Sequence, residues 1–275
     1  MNILSNIKKT IISKIGNHRT NLNEEIWSSM CDRYAKTNKS TKNYLNDFEE
    51  NIYSENGEDG VLIKIIEILD IQKKYFVEFG AWDGEKFSNT CNLRKNYGWK
   101  GALFEDRLSR VQEAINSGVT CIYNVEIKPD NFDKVLQCYN VPNDFGLLSI
   151  DIDSDDYWVW KSLNKFNPII VIIETHPAIP NDFPLTIVYG RGDTNNGYFG
   201  ANLHAMCLLG KKKGYSFVTT VAHNAIFVRQ DYFHLLNLSK LTINKVIDKY
   251  FEINQHWFEN RDKKNRRWVR LDTYK

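Results

Sequence analysis

Acidic side chains close several of the strand-like runs in this chain. Ser149, Asp151 and Asp153 alternate with Leu148, Ile150 and Ile152, so an extended backbone puts both carboxylates on one face. Ile172, Glu174 and His176 share a face of a second run in the same way. Several carboxylates in one dry cleft need compensation, either a proton on one of them or a cation among them. Oxygen ligands with one imidazole suit Mg²⁺ or Mn²⁺ better than zinc, which makes Asp151, Asp153, Glu174 and His176 a candidate metal set. Without an ion, His176 or Asp151 is the candidate general base for a hydroxyl proton. A structural use also stands, in which Asp155 or Asp156 caps the helix expected over 156–163.

A second constellation lies earlier. Phe76-Val77-Glu78-Phe79 runs into Gly80-Ala81-Trp82-Asp83-Gly84, and the two glycines permit a tight turn and a close backbone approach. Ser88 or Asn89 can cap the helix that follows. The turn is neither G-x-G-x-x-G nor a Walker sequence, so it predicts no phosphate cradle. Glu105 ends the next apolar run, about 20 residues beyond Gly84, where an acid can accept hydrogen bonds from both ribose hydroxyls of a nucleoside cofactor.

Positioning these groups requires a sheet. Strands are expected over 75–79, 102–105, 121–124, 147–151 and 169–174, with helices over 60–70, 87–96, 108–116, 130–138 and 156–163 between them. Such alternation predicts a largely parallel α/β sheet with helices on both faces, whose ligands lie beyond the carboxyl ends of the strands. A helix over 201–213 and a final antiparallel hairpin, 216–220 with 225–228, complete it. Three divisions are expected: a helical N-terminal extension over 1–50, the main domain over 51–230, and a helical, basic tail over 231–275.

At 275 residues with 42% hydrophobic and 25% charged side chains, the chain can bury a substantial core. No apolar run approaches the roughly 20 residues of a membrane span. Lys8, Lys9 and Lys14 interrupt the early isoleucines, so no export signal is expected. Five cysteines without a C-x-x-C pair fit a reducing cytoplasm. The net charge of +2 conceals basic ends around an acidic body, which argues against a nucleic-acid partner. Ile3, Ile7, Ile11 and Ile15 recur at a spacing of four, predicting a helix that packs on the domain or on a partner subunit. Contact of that helix with a membrane surface is the weaker reading. Trp257, Phe258 and Trp268 interleave with arginines and lysines, predicting an ordered arm against the domain or against a second copy in a homo-oligomer.

The motifs together resemble class I S-adenosylmethionine-dependent methyltransferases, and within them the FkbM-type group. The resemblance rests on Val77-Glu78-Phe79-Gly80 with Asp83-Gly84, Ser88-Asn89-Thr90, Gly98-Trp99-Lys100-Gly101 and Phe104-Glu105. Asn56-Gly57-Glu58-Asp59-Gly60, Ser149-Ile150-Asp151-Ile152-Asp153 and Tyr198-Phe199-Gly200-Ala201 extend it, as does 209–215, so that it covers about residues 52–230. Trp82 stands where a richer E-x-G-x-G-x-G pattern has a glycine. The resemblance implies a Rossmann-like fold, strand order 3-2-1-4-5, and S-adenosylmethionine as cofactor. It implies that Glu78, Gly80 and Asp83 line the methionine side, that Ser88 also contacts the cofactor, and that Glu105 holds the ribose. Asn124 or Glu126 would lie near adenine, Asp151 beside the methyl group, and Glu58 and Asp59 would either close the pocket or cap a helix. Strands four and five become neighbours in that order, which would bring Asp151, Asp153, Glu174 and His176 together. The implied reaction is methylation of a hydroxyl on a small molecule, sugar or glycan precursor, with Mg²⁺ or Mn²⁺ as a candidate second cofactor. A dehydrogenase and a non-catalytic binding protein on the same fold are the alternatives.

Overall fold

The computed structural model describes residues 44–179, 183–238, 264 and 266–271. The expected helix over the first isoleucines and most of the basic tail lie outside the described residues. Five parallel strands carry the domain: β1 (Tyr75–Phe79), β2 (Lys100–Glu105), β3 (Ile122–Asn124), β4 (Leu147–Ile150) and β5 (Ile170–Glu174). The helices are α1 (Glu58–Ile68), α2 (Cys91–Asn96), α3 (Leu108–Asn116), α4 (Phe132–Cys138), α5 (Asp156–Ser162) and α6 (Leu203–Lys212). A two-residue strand β6 (Leu185–Thr186) precedes α6, and the hairpin β7 (Tyr215–Val221) and β8 (Asn224–Arg229) follows it. A short α7 (Gln230–Phe233) follows the hairpin, and β9 (Val269–Arg270) pairs with β6.

The main sheet runs β3-β2-β1-β4-β5-β8-β7, parallel through the first five strands and antiparallel at the hairpin. This is the mostly parallel, Rossmann-like α/β architecture expected above. Strand alternation assigns side chains to two layers. Val77 and Phe79 of β1 join Phe132 and Leu136 of α4, Trp160 of α5 and Leu209 of α6 in one core. Phe76 points the other way, with Leu103, and packs with Val61 and Ile65 of α1, Leu93 of α2 and Val111 of α3. Helices therefore cover both faces, which is why β4 and β5 are apolar along nearly their whole length and show no amphipathic alternation.

The long connection after β5 is more structured than its proline and glycine content suggests. Leu185 pairs with Arg270 and Thr186 with Val269, while the Leu271 N–H donates to the Pro184 carbonyl at 2.9 Å. Tyr198 donates to the Arg267 carbonyl at 2.6 Å, and Trp268 packs edge-on to both Tyr198 and His176. The described end of the tail thus lies against its own domain. Among the described residues no helix is long and apolar enough to cross a membrane.

At the centre of the sheet, Gly80 leaves β1 with φ +74°, and a Cβ there would overlap the Asp151 carbonyl oxygen that leaves β4. Alanine therefore meets both a left-handed backbone and main-chain oxygen that cannot rotate away. Gly80→Ala is expected to destabilise the fold by more than about 3 kcal/mol. Denaturant unfolding measures it, and a loss under about 1 kcal/mol would show that the two strand ends can separate.

Candidate functional site

A cavity of about 500 Å³ opens beyond the carboxyl ends of β1, β2, β4 and β5, where strand order reverses between β1 and β4. Its wall divides into a β1–β2 half, with Gly80, Trp82, Glu105 and Glu126, and a β4–β5 half, with Asp151, Asp153, Glu174 and His223.

The β1–β2 half is built by backbone donors. The Trp82 N–H donates to Glu105 Oε2 at 3.0 Å and the Arg107 N–H to Oε1 at 3.0 Å. Each oxygen keeps a further lone pair. Burial holds the Glu105 carboxyl above the usual carboxylate range, opposed by the Arg107 N–H and reinforced by Asp106. Ser88 also borders the cavity. Its hydroxyl donates to Glu78 Oε2 at 2.7 Å and accepts from the Thr90 and Cys91 N–H groups at 3.2 and 3.0 Å, but the N-cap position of α2 falls to Thr90, without a side-chain cap, and not to Ser88 or Asn89 as expected.

Several candidate residues act on the framework instead. Glu78 shares a face with Phe76 and turns away from the cavity. It accepts from Ser88, from the Asn89 N–H at 2.9 Å and from Thr90 Oγ1 at 2.6 Å. Burial nevertheless raises its carboxyl above the usual range. Asp83 folds its own turn, accepting the Glu85 and Lys86 N–H groups at 2.9 and 2.8 Å. Asn124 ties β3 to β2 by donating to the Glu105 and Asp106 carbonyls, and Glu126 borders the cavity in its place. Asp59 accepts three N–H groups from Ile52, Tyr53 and Ser54. Glu58 accepts from the Asn56 N–H and from Asn224 Nδ2. Together these two acids fold the segment before α1, and that segment presents Glu55 to the cavity.

In the β4–β5 half, one oxygen each from Asp151, Asp153 and Glu174 lies within 4.8 Å of the others. Burial first, then the charges of Asp156, Asp153 and Glu55, hold Asp151 well above the usual carboxylate range. Glu174 is pushed the same way by burial and then by Asp151. Glu174 is only 7% exposed, and its Oε2 has no hydrogen-bond partner among the described residues. Asp156 is organised differently. It accepts the Ile152 N–H at 2.9 Å and the Ser154 N–H at 3.1 Å, and burial pushes its carboxyl up to about 7. Asp156 therefore shapes the turn that carries Asp153, and neither it nor Asp155, which stands at the N-cap and accepts the Gly190 N–H, supplies the expected side-chain cap of α5.

His176 does not join the acids. The chain turns after Glu174, so the spacing that shares a face on an extended strand no longer applies. His176 is fully buried, and its Nδ1 accepts from the Ala178 N–H at 3.2 Å. That leaves Nε2–H to donate to the Gly197 carbonyl at 3.1 Å, with the ring stacked on Phe199 at 4.2 Å. The expectation of His176 as metal ligand or base is thus corrected: it fastens the loop before α6. His223 borders the cavity instead, and its carbonyl accepts both the N–H and the hydroxyl of Thr175. The signal for it was the hairpin, because β8 pairs with β5 so that Asn224 lies opposite Glu174.

No protein-family model matches the chain. A search of curated proteins finds no match. Among solved structures, a SAM-dependent methyltransferase from Aquifex aeolicus is similar over 69% of this chain and 97% of its own, at 11% identity and a TM-score of 0.35. One from Bacteroides fragilis, in complex with S-adenosyl-L-homocysteine, is similar over 67% of this chain and 81% of its own, at 9% identity and a TM-score of 0.37. The pyocyanin biosynthetic protein PhzM is similar over 61% of this chain and 54% of its own, at 14% identity and a TM-score of 0.35.

The raised carboxyls set a pH dependence. A carboxyl raised in the folded state contributes stability that is present at low pH and lost as pH rises through its folded value. Glu174→Gln removes that penalty while keeping the shape. In chelator, the variant should melt at least about 2 °C above the parent at pH 8 and within about 1 °C of it at pH 5. A variant less stable than the parent at pH 8 would mean that the Glu174 charge is favourably partnered.

Proposed function

We propose that the chain is an S-adenosylmethionine-dependent O-methyltransferase of the FkbM-type group, acting in the cytoplasm on a hydroxyl of a small sugar or glycan precursor. The observation that carries this reading is Glu105 at the end of β2. Two main-chain N–H groups fix its carboxylate, and it keeps acceptor capacity toward the cavity beside the strand switch point. The cofactor supplies a methyl group on a sulfonium, so in-line attack by a hydroxyl oxygen forms the C–O bond as the C–S bond breaks. What the chain must add is position and a proton acceptor.

Glu105 would hold the ribose hydroxyls, and the 80–82 backbone would carry the methionine portion. Asp151 sits at the join of the two halves. Its place on the cavity wall makes its carboxylate the candidate acceptor of the hydroxyl proton. Asp151, Asp153 and Glu174 fit a hard divalent ion, Mg²⁺ or Mn²⁺. They offer oxygen donors, one of them on a buried carboxylate whose Oε2 is unpartnered. An ion there would supply positive charge to hold neighbouring hydroxyls of the acceptor.

Calorimetry with S-adenosyl-L-homocysteine tests the cofactor half. Wild-type protein should bind it, and Glu105→Ala should lose on the order of 1.5–3 kcal/mol with the fold intact, the worth of hydrogen bonds to a charged group. Equal affinity would remove Glu105 from the site. Chelation should then abolish methyl transfer and leave homocysteine-cofactor affinity nearly unchanged, with Mn²⁺ or Mg²⁺ restoring turnover. Transfer that survives chelation would leave Asp151 acting without an ion.

A further inference from the structure

Among the described residues, seven non-glycine positions have positive φ. Four are Asp or Asn, residue types that tolerate the left-handed region, and Ala222 occupies the β7–β8 turn. The other two are bulky aromatics, Trp82 at φ +50° and Phe87 at φ +62°. A left-handed backbone under a bulky side chain is a genuine outlier. Both lie in the single loop that follows β1, and both border the cavity. Neither ring belongs to a hydrophobic core: Phe87 is 53% exposed, and Trp82 is partly exposed. The strain is therefore not explained by burial of the rings in the fold.

Cations orient the rings. The Arg110 guanidinium lies 4.0 Å from the Trp82 ring centroid and that of Arg107 lies 5.4 Å from it. The Lys86 ammonium lies 4.8 Å from the Phe87 ring centroid. Strained conformations that persist cluster at ligand-binding sites, where the surrounding structure holds them in place. The Trp82 main-chain N–H also donates to Glu105, so the residue is anchored beside the proposed ribose acceptor.

We infer that Trp82 and Phe87 form an aromatic clasp on the cofactor cleft. The loop holds two rings in a backbone conformation suited to glycine so that they wall a bound nucleoside sulfonium. Trp82 stands on the ribose side, and Phe87 stands at the mouth. This inference rests on the cofactor reading above and adds two positioning residues to it. It also accounts for a tryptophan at a glycine-like position of the turn. The side chain serves the ligand, while the main chain keeps the conformation a glycine would take.

The test separates ring from backbone. Trp82→Gly and Trp82→Ala both remove the indole, but only glycine relieves the positive φ. Both should weaken S-adenosyl-L-homocysteine about tenfold by calorimetry, the scale of one well-packed aromatic contact. Trp82→Gly should melt above Trp82→Ala. Phe87→Gly should weaken binding similarly without lowering the parent melting temperature. Wild-type binding with unchanged affinity in all three variants would overturn the clasp and leave the cofactor reading standing. A fall in melting temperature of more than about 5 °C in both glycine variants would make the rings props of the fold, which also overturns it. If the wild-type protein fails to bind the ligand, the cofactor reading falls and the clasp falls with it.

Discussion

The site depends on how closely β1 and β4 approach at their carboxyl ends. Gly80 meets the Asp151 carbonyl with no room for a side chain, and the Asp151 N–H donates to the Phe79 carbonyl at 3.2 Å. Beyond this point the chain leaves β1 toward β2 and leaves β4 toward β5. The two connections diverge, and the space between them is the cavity. The same contact fixes the main chain of Asp151, so its carboxylate projects toward Glu174 on the adjacent strand. A side chain at position 80 would therefore disturb the β1–β2 half and the acidic half together.

Acidic residues crowd this region, and their hydrogen bonds sort them by role. Glu78, Glu58, Asp59, Asp83 and Asp156 each accept main-chain N–H groups that fold a turn. Glu105 is intermediate, anchored by two N–H groups yet bordering the cavity. Glu174 borders the cavity and is buried with an oxygen that has no hydrogen-bond partner among the described residues, a condition shared by Oδ1 of Asp59 away from the cavity. A buried carboxylate left in that condition costs free energy unless a proton, a cation or a ligand meets it. The β4–β5 half thus adds unmet acceptor capacity to that of Glu105 across the cleft.

Strand positions were legible because parallel strands are short apolar runs between polar helical segments. The run 75–79 matches β1, and 169–174 overruns β5 by one residue. Glu105, Asp151, Asp153 and Glu174 were legible as strand-end acids. What escaped was geometry set after the strands end. His176 shares a face with Glu174 only if the chain stays extended, and it does not. Glu55 was hidden because Glu58 and Asp59 carry the recognisable motif but accept the N–H groups that fold the segment presenting it. The β6–β9 pair is two residues long on each side and far apart in sequence, too short for periodicity to register. Trp82 was visible as a departure from a glycine pattern. That the backbone keeps a glycine-like conformation under the indole is a tertiary fact.

A structure of crystals soaked with S-adenosyl-L-homocysteine tests the central claim most directly. Density should run across the ends of β1 and β2, with ribose oxygens within about 3.2 Å of the Glu105 carboxylate. The sulfur should point toward Asp151. An empty cleft in protein that binds the nucleoside in solution, or a nucleoside seated away from Glu105, would contradict it.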